Sequence, residues 1–474
     1  MSERALVKII ATDRVTPRRR GLLISFGRWM RDNQRVIRRI QWFVVIFYAI
    51  LINVPAVRAL PPQTAHIWNN VTLFAQFLFW GIWWPFVLIS MVLLGRVWCG
   101  VFCPEGSLSE WASRYGRGGA IPRWVRWGGW PFVAFVGTTI YGQMISVYQY
   151  PKATLLILGG STLGAIIIGY LYGRNVRVWC RYLCPVNGVF GLLSKLAPIH
   201  FQTDPELWQA SRASGERPPA INCPTLLSLK DLQSGSDCHS CGRCEGHRGA
   251  IQLTVSTPGS ELIQESASRA TLVEFLLITY GLCGIAIGAF HWSASPWFIS
   301  IKQALATWLI SNDWLWPMQT HLPWWIFTNY PEQNDVLNLL DGTLLLTYIS
   351  VTGIVCGSVL GGLLFLSQRS LAHFNRQALF HLSHALIPLA GTGVFLGLSA
   401  ITVTMLRAEH APLFWVSPVR AALLIGASCW GLMLFWKITG QYATSNIRRV
   451  LATGFGAATI VFITSAWWLL FWGW

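Results

Sequence analysis

The sequence predicts an all-α polytopic membrane protein of about nine transmembrane helices with one small polar insert. Three observations carry that expectation. Of the 474 residues, 53% are hydrophobic and only 12% are charged, against about 25% charged in soluble domains. The apolar residues gather in runs of about 20, the length that crosses a bilayer as a helix. The basic residues alternate between successive connecting segments, which fixes an orientation.

The runs occupy residues 40–60, 73–94, 128–147, 154–173, 271–292, 343–366, 378–405, 418–436 and 450–473. The first follows a long basic arm, and no cleavage-type motif comes after it. It therefore reads as a spanning helix and not as a signal peptide. With the N-terminus inside, the inside segments hold 31 of the 36 Lys and Arg. Arg58, Lys152, Lys302, Arg407 and Arg420 remain outside. This bias places the N-terminus and the polar insert in the cytoplasm and the C-terminus in the periplasm of a bacterial inner membrane.

The net charge of +17 is thus a topology signal and not a nucleic-acid footprint. The arm, with Arg18, Arg19, Arg20, Arg28 and Arg31, also suits anionic lipid head groups. Four parts follow: the basic arm 1–39, a four-helix membrane module 40–197, a polar cytoplasmic segment 198–268, and a C-terminal membrane module 269–474 of about five helices. The last contains a Trp-rich outside loop, 293–342, with Trp297, Trp308, Trp314 and Trp316. Those rings read as interfacial anchors; the alternative is a docking surface for a periplasmic partner. Residues 301–311 read as a short interfacial helix.

Of the 11 cysteines, Cys283, Cys356 and Cys429 stand alone in apolar helices and read as small core residues. The other eight fall in inside segments, where a reducing compartment favours metal or redox chemistry over disulfides. Four belong to an internal repeat. Residues 96–104 read Arg-Val-Trp-Cys-Gly-Val-Phe-Cys-Pro, and residues 177–185 read Arg-Val-Trp-Cys-Arg-Tyr-Leu-Cys-Pro. Each copy follows a two-helix hairpin, so the copies share one membrane orientation. A parallel repeat has its axis along the membrane normal, which draws Cys99, Cys103, Cys180 and Cys184 towards one point. Four thiolates are the ligand set of a [4Fe-4S] cluster. A copper or zinc site and a reversible dithiol are the rivals. Arg96, Arg174, Arg177 and Arg181 are expected to stabilise thiolates. The i, i+4 spacing puts each pair on one helix face, and the proline after it is expected to stop or kink that helix.

The second constellation is Cys238-His-Ser-Cys241-Gly-Arg-Cys244. It matches the first three ligands of a bacterial ferredoxin loop, which makes the insert a small ferredoxin-like iron–sulfur segment. The fourth cysteine of a complete loop is replaced by Arg248. Cys223, before Pro224, is the candidate fourth ligand, with His239 or His247 as substitutes and a zinc knuckle as the alternative reading.

These paired Trp-Cys-x3-Cys-Pro motifs, followed by a ferredoxin loop, resemble the membrane polyferredoxins of the NapH, NosR and CcoG type over about residues 40–255. That family serves periplasmic nitrate reduction, nitrous oxide reduction and copper delivery to cytochrome oxidase. The resemblance implies one or two [4Fe-4S] clusters and electron transfer with other redox subunits or a periplasmic metalloprotein. The chain departs from the family pattern in its single incomplete ferredoxin loop and its extra C-terminal helices. It also lacks a Ser-Gly-Ala-Thr flavin-attachment motif.

His381 and His384, with His373 and Arg376 nearby, sit at the cytoplasmic end of the seventh run. Ionisable residues in a membrane are functional candidates: a quinone head group and a b-type haem are the options, and a hydrogen-bonded helix end is the alternative. No acid–base constellation marks a substrate reaction of its own. The function expected is electron transfer through [4Fe-4S] clusters between a cytoplasmic or quinol donor and a respiratory or periplasmic partner system. A copper-handling or metalloenzyme assembly factor and a redox-sensing transporter are the alternatives.

Overall fold

The structure, a computed structural model, describes residues 17–62, 64–215, 218–371 and 374–474, with side chains from Gly21 onward. Residues 1–16 of the basic arm, the side chains of Arg18, Arg19 and Arg20, and His373 lie outside the described residues. The protein is a polytopic helical membrane protein. Among the described residues, eight helices are long and apolar enough to cross a bilayer: Gln34–Ala56, Val71–Leu94, Pro151–Tyr172, Leu272–His291, Leu339–Leu371, Arg376–Ala408, Val416–Tyr442 and Asn446–Gly473.

The run at 128–147 is the exception. Its helix, Trp130–Met144, has 15 residues and is about 22 Å long. Ser146, with φ +50, turns the chain just after it. The helix still links the two ends of the bundle. Trp130 packs beside Val178 and Leu183 at the motif end, and the Tyr141 hydroxyl donates to the Trp325 carbonyl at the far end at 2.5 Å. Apolar count alone overstated its length, because Pro131 opens it late and the left-handed turn closes it early.

Local backbone departs from regular helix at definable places. Residues 77–83, 98–102 and 277–285 form π turns, a feature common near functional sites. The Arg376–Ala408 span is interrupted by a 3₁₀ turn at His384–Leu386, where Pro388 removes a donor. In the C-terminal module, Leu272–His291 crosses Leu339–Leu371 in backbone contact. A Cβ on Gly284 would lie 2.8 Å from the Gly353 carbonyl oxygen, the small-residue packing of membrane helices. Cys283 and Cys356 are buried, whereas Cys429 is exposed on its helix surface and is no core residue.

The insert is closed by one antiparallel pair, Ile199–Thr203 with Ile251–Val255, which brackets the Cys238 to Cys244 loop. At the far end, residues 296–311 form a single 16-residue helix, longer than expected. Trp297, Trp308, Trp314 and Trp316 are exposed there.

Candidate metal centres

Each repeat motif closes in the same way. In the first, Trp98–Phe102 is a π turn, and the Cys103 N–H donates to the Trp98 carbonyl at 2.8 Å. In the second, Val178–Tyr182 is a short α turn, and the Cys184 N–H donates to the Trp179 carbonyl at 3.0 Å. The proline does more than stop a helix. Pro104 opens the helix Pro104–Arg114, where a missing N–H costs nothing. Cys103 caps that helix, its sulfur accepting the Gly106 N–H at 3.4 Å.

The copies exchange partners. Pro104–Arg114 packs on Gly160–Tyr172 of the second hairpin, and Asn187–Ser194 packs on Trp84–Leu94 of the first. Arg96 donates to the Asn187 side chain at 2.5 Å. Arg177, its repeat equivalent, lies against Gly106, the repeat equivalent of Asn187. This is the pseudo-twofold relation that a parallel repeat demands. It brings Cys99, Cys103, Cys180 and Cys184 to one cavity of about 260 Å³.

Cys223, Cys238, Cys241 and Cys244 line a second, smaller cavity. Ser240 and Gly242 take positive φ, +48 and +76, which wraps the loop tightly. Gly242 must be glycine for a second reason: an added Cβ would meet the Met30 Cβ at 2.6 Å. Cys223 is delivered from far upstream by backbone pairing, the Arg177 N–H donating to the Pro224 carbonyl at 2.6 Å. His247 instead lies beside Trp208, ring centroids 5.7 Å apart and the planes tilted by 54°.

His239 lines both cavities, and its Nδ1 has no hydrogen-bond partner. The loop that carries it is pressed against the first motif: a Cβ on Gly100 would sit 2.0 Å from the His239 carbonyl oxygen. The repeat equivalent of Gly100 is Arg181, whose side chain reaches the start of the same insert loop and pairs with Asp237 at 2.8 Å.

A residue missed by sequence reasoning holds the two centres together. Glu110 accepts from Arg177 Nε at 2.9 Å and from Arg243 at 2.5 Å. Arg177, buried to 1% exposure, also donates to the Cys99 carbonyl at 2.6 Å. Arg243 lies between Cys241 and Cys244, so this one carboxylate ties the second motif to the insert loop. Burial opposes its charge, yet Arg177 and Arg243 outweigh burial and hold the Glu110 carboxyl down at about 2.

The thiols behave differently from expectation. Burial pushes Cys180 and Cys238 up to about 12, and Cys103 and Cys184 well above the usual thiol range. Arg177 and Arg96 pull Cys180 down, but by less than burial raises it. A metal centre bound by these sulfurs would supply the positive charge that holds them as thiolates, the protons leaving to solvent; the arginines alone do not outweigh burial at Cys180. Burial, with Arg96, Arg177 and Arg181, also keeps His239 neutral.

The residues suit clusters better than single ions. Among the described residues, no three His, Cys, Asp or Glu side chains are placed to hold one metal ion. A tetrahedral zinc needs its sulfurs about 2.3 Å from a common centre. The quartet Cys99, Cys103, Cys180 and Cys184 instead rims a cavity of about 260 Å³, which suits four ligands on four irons.

His381 and His384 lie elsewhere. His381 Nε2 donates to the Leu262 carbonyl at 2.6 Å, and its Nδ1 accepts from the Tyr442 hydroxyl at 2.8 Å. His384 Nε2 is 3.4 Å from Glu274, which also pairs with Lys195 at 2.5 Å. His381 is engaged at both ring nitrogens, whereas the buried His384 has the Glu274 carboxylate nearby and, among the described residues, no hydrogen bond.

Residues 76–126 and 155–203 each match the 4Fe-4S binding domain family. The chain is 24% identical over 237 residues to the putative electron transport protein YccM of Escherichia coli, covering 44% of this chain and 65% of that protein. It is 27% identical over 182 residues to the E. coli ferredoxin-type protein NapH, covering 34% and 62% respectively. To the regulatory protein NosR of Pseudomonas aeruginosa it is 24% identical over 190 residues, covering 35% and 25%. The chain thus spans no more than 65% of the length of these relatives. No solved structure matches it. The matched segments are the two repeats: the chain is a multi-pass membrane protein that carries the 4Fe-4S binding domain and is similar to the ferredoxin-type electron-transport proteins.

Proposed function

We propose that this protein passes single electrons between a hydroquinone dissolved in the bilayer and a respiratory or periplasmic redox partner, using two adjoining [4Fe-4S] clusters. The observation that supports it is the shared wall: His239 lines both cysteine cavities. Cys99, Cys103, Cys180 and Cys184 hold one cluster, and Cys223, Cys238, Cys241 and Cys244 hold the other. A [4Fe-4S] cluster supplies one-electron oxidation and reduction. The residues around it supply the rest. Arg177 and Glu110 fix the spacing of the two quartets, and the buried apolar walls exclude water.

The charge bias supports placing the motif end at the cytoplasmic face. The donor reading rests on the cavity. Beyond the cysteines it extends past Thr139 and Gln143 to Phe290 and Leu398, deep among spanning helices. An apolar pocket with a few polar groups suits a lipophilic carrier, and Glu105 and Tyr48 at its motif end suit a hydroxylated ring.

Two results are expected. Anaerobically purified protein should contain about eight irons and matching acid-labile sulfide per chain, as two [4Fe-4S] clusters require. Stoichiometric zinc or copper without sulfide would refute the reading. Leu398→Trp and Thr139→Trp should fill the cavity away from the cysteines. Cluster reduction by a hydroquinone should then slow by about tenfold or more, equivalent to about 1.4 kcal/mol, while reduction by dithionite stays unchanged. Equal rates with both reductants would remove the cavity from the donor path.

A further inference from the structure

The N-terminal helix Pro17–Asp32 and the spanning helix Gln34–Ala56 meet at Asn33, whose φ −104 and ψ 35 are not helical. The Asn33 N–H donates to the Trp29 carbonyl at 2.9 Å, and the Ile37 N–H to the Asn33 carbonyl at 3.1 Å. The buried side keeps one stripe across the junction: Gly27, Met30, Ile37, Gln41 and Val45 all face inward. The two parts of this rod, 16 and 23 residues, are about 24 and 35 Å long at 1.5 Å per residue. The hydrocarbon core is about 30 Å thick, so Gln34–Ala56 alone is long enough to cross it.

The other side of the rod carries a second stripe. Leu22, Phe26, Trp29, Asn33 and Val36 recur with alternating four- and three-residue spacing, and Ile40, Phe43, Phe47 and Ile50 continue it. Leu22 is 67% exposed, Phe26 51% and Trp29 44%, and the Phe26 and Trp29 rings stack at 5.9 Å. In the spanning half Ile40 packs on the insert core and Phe47 on Trp83; Leu22, Phe26 and Trp29 lie on the helix whose other face packs on the insert strand Ile251–Val255. A 4–3 apolar repeat with one Asn at a seam position is the pattern of a helix that pairs with another helix, the Asn fixing register.

Charge selects the partner. The exposed residues beside and behind the stripe are Arg28, Arg31, Asp32, Arg35, Arg38 and Arg39, five cations to one anion. A parallel second copy would bring these arginines together, and like charges across such a seam are disfavoured. We infer that this face docks a membrane partner's helix that emerges from the bilayer beside Gln34–Ala56 and carries Asp or Glu along its own apolar seam. The inference does not depend on the electron donor proposed above. It deepens the contact of this helix with its surroundings from lipid head groups alone to a specific protein helix, on the side of the rod opposite Gln34, which donates to the Cys241 carbonyl at 3.0 Å.

The test is site-specific photo-crosslinking of the full chain in its native membrane. A benzophenone side chain is placed at Phe26 or Trp29 on the stripe, and at Arg31 off it, with adducts mapped by peptide mass spectrometry. The expected result is that Phe26 and Trp29 label one helix of one membrane protein, at positions three or four residues apart with acidic neighbours, and that Arg31 labels it at least about tenfold less. Arg28→Glu with Arg35→Glu should cut the adduct yield about tenfold, about 1.4 kcal/mol, with cluster absorbance showing the chain intact. Phe26→Ser should do the same without any charge change. Adducts to a second copy of the chain, to lipid only, or none at all would overturn the inference. So would a yield indifferent to the charge reversal.

Discussion

Arg177→Leu is expected to strip iron from both centres and to destabilise the chain by about 3–5 kcal/mol, the cost of leaving a buried charge without its partner. Arg177 is 1% exposed and serves three acceptors from one fork. It donates to Glu110 at 2.9 Å, to the Cys99 carbonyl at 2.6 Å and more weakly to the Gly100 carbonyl at 3.4 Å. Without it, Glu110 keeps only Arg243 and Arg114 nearby, at 2.5 and 3.6 Å. Arg177→Lys keeps the charge but not the planar fork, so it should recover part of the stability and little of the iron. Glu110 gives the pH dependence. Its carboxyl is held at about 2, below its unfolded value, so the pair's contribution is complete above the ordinary carboxylate range and is lost only as pH falls towards 2. Stability should therefore not vary on account of this pair between about pH 5 and 8. Thermal unfolding and iron content of the two variants across that range check both statements. Full iron content in Arg177→Leu would contradict the assigned role.

Gly100→Ala is expected to lose the insert centre while sparing the repeat centre. The added Cβ would lie 2.0 Å from the His239 carbonyl and 3.0 Å from the Cys241 N. Both obstacles are backbone, so neither can rotate away. The loop must move, at a cost of about 3 kcal/mol, the upper end for overpacking a tight contact. Gly100→Arg, which copies the second repeat, should be worse. The mirror change, Arg181→Gly, removes only a partly exposed pair with Asp237, worth at most about 1 kcal/mol. Iron per chain and the spectra of the two centres distinguish these outcomes. An Ala variant with both centres intact would mean that the loop is not pressed on the first motif.

The repeat was legible because it is written in covalent sequence: Arg-Val-Trp-Cys twice, after two hairpins, implies an axis, and an axis implies convergence. The Cys238 to Cys244 loop was legible for the same local reason, and the Cys223-Pro224 pair pointed to its missing member. The Gly100 and Arg181 difference gave no signal, because Val101 and Phe102 also differ from Tyr182 and Leu183; only the insert loop packed on Gly100 singles that position out. Glu110 gave no such sign. It sits in Pro104–Arg114 without a motif, and its partners Arg177 and Arg243 are far away in sequence, so only folding joins them. The cavity was hidden too. Its wall residues Phe79, Trp80 and Trp83 lie on the π turn at residues 77–83, where a 3.6-residue period misassigns faces. The thiol environment was misread because charge is visible in a sequence and depth of burial is not.

The central claim is that the eight cysteines form two separate quartets, one shared across the repeat and one in the insert. Replacing Cys99 and Cys180 together by Ala, followed by Mössbauer and EPR spectroscopy of the reduced protein, tests it most directly. The prediction is that about half of the iron and one cluster signature disappear, about four irons for one [4Fe-4S] cluster, while the signature assigned to Cys223, Cys238, Cys241 and Cys244 survives. Retention of both signatures at full iron content would contradict the claim, because the repeat would then hold no cluster.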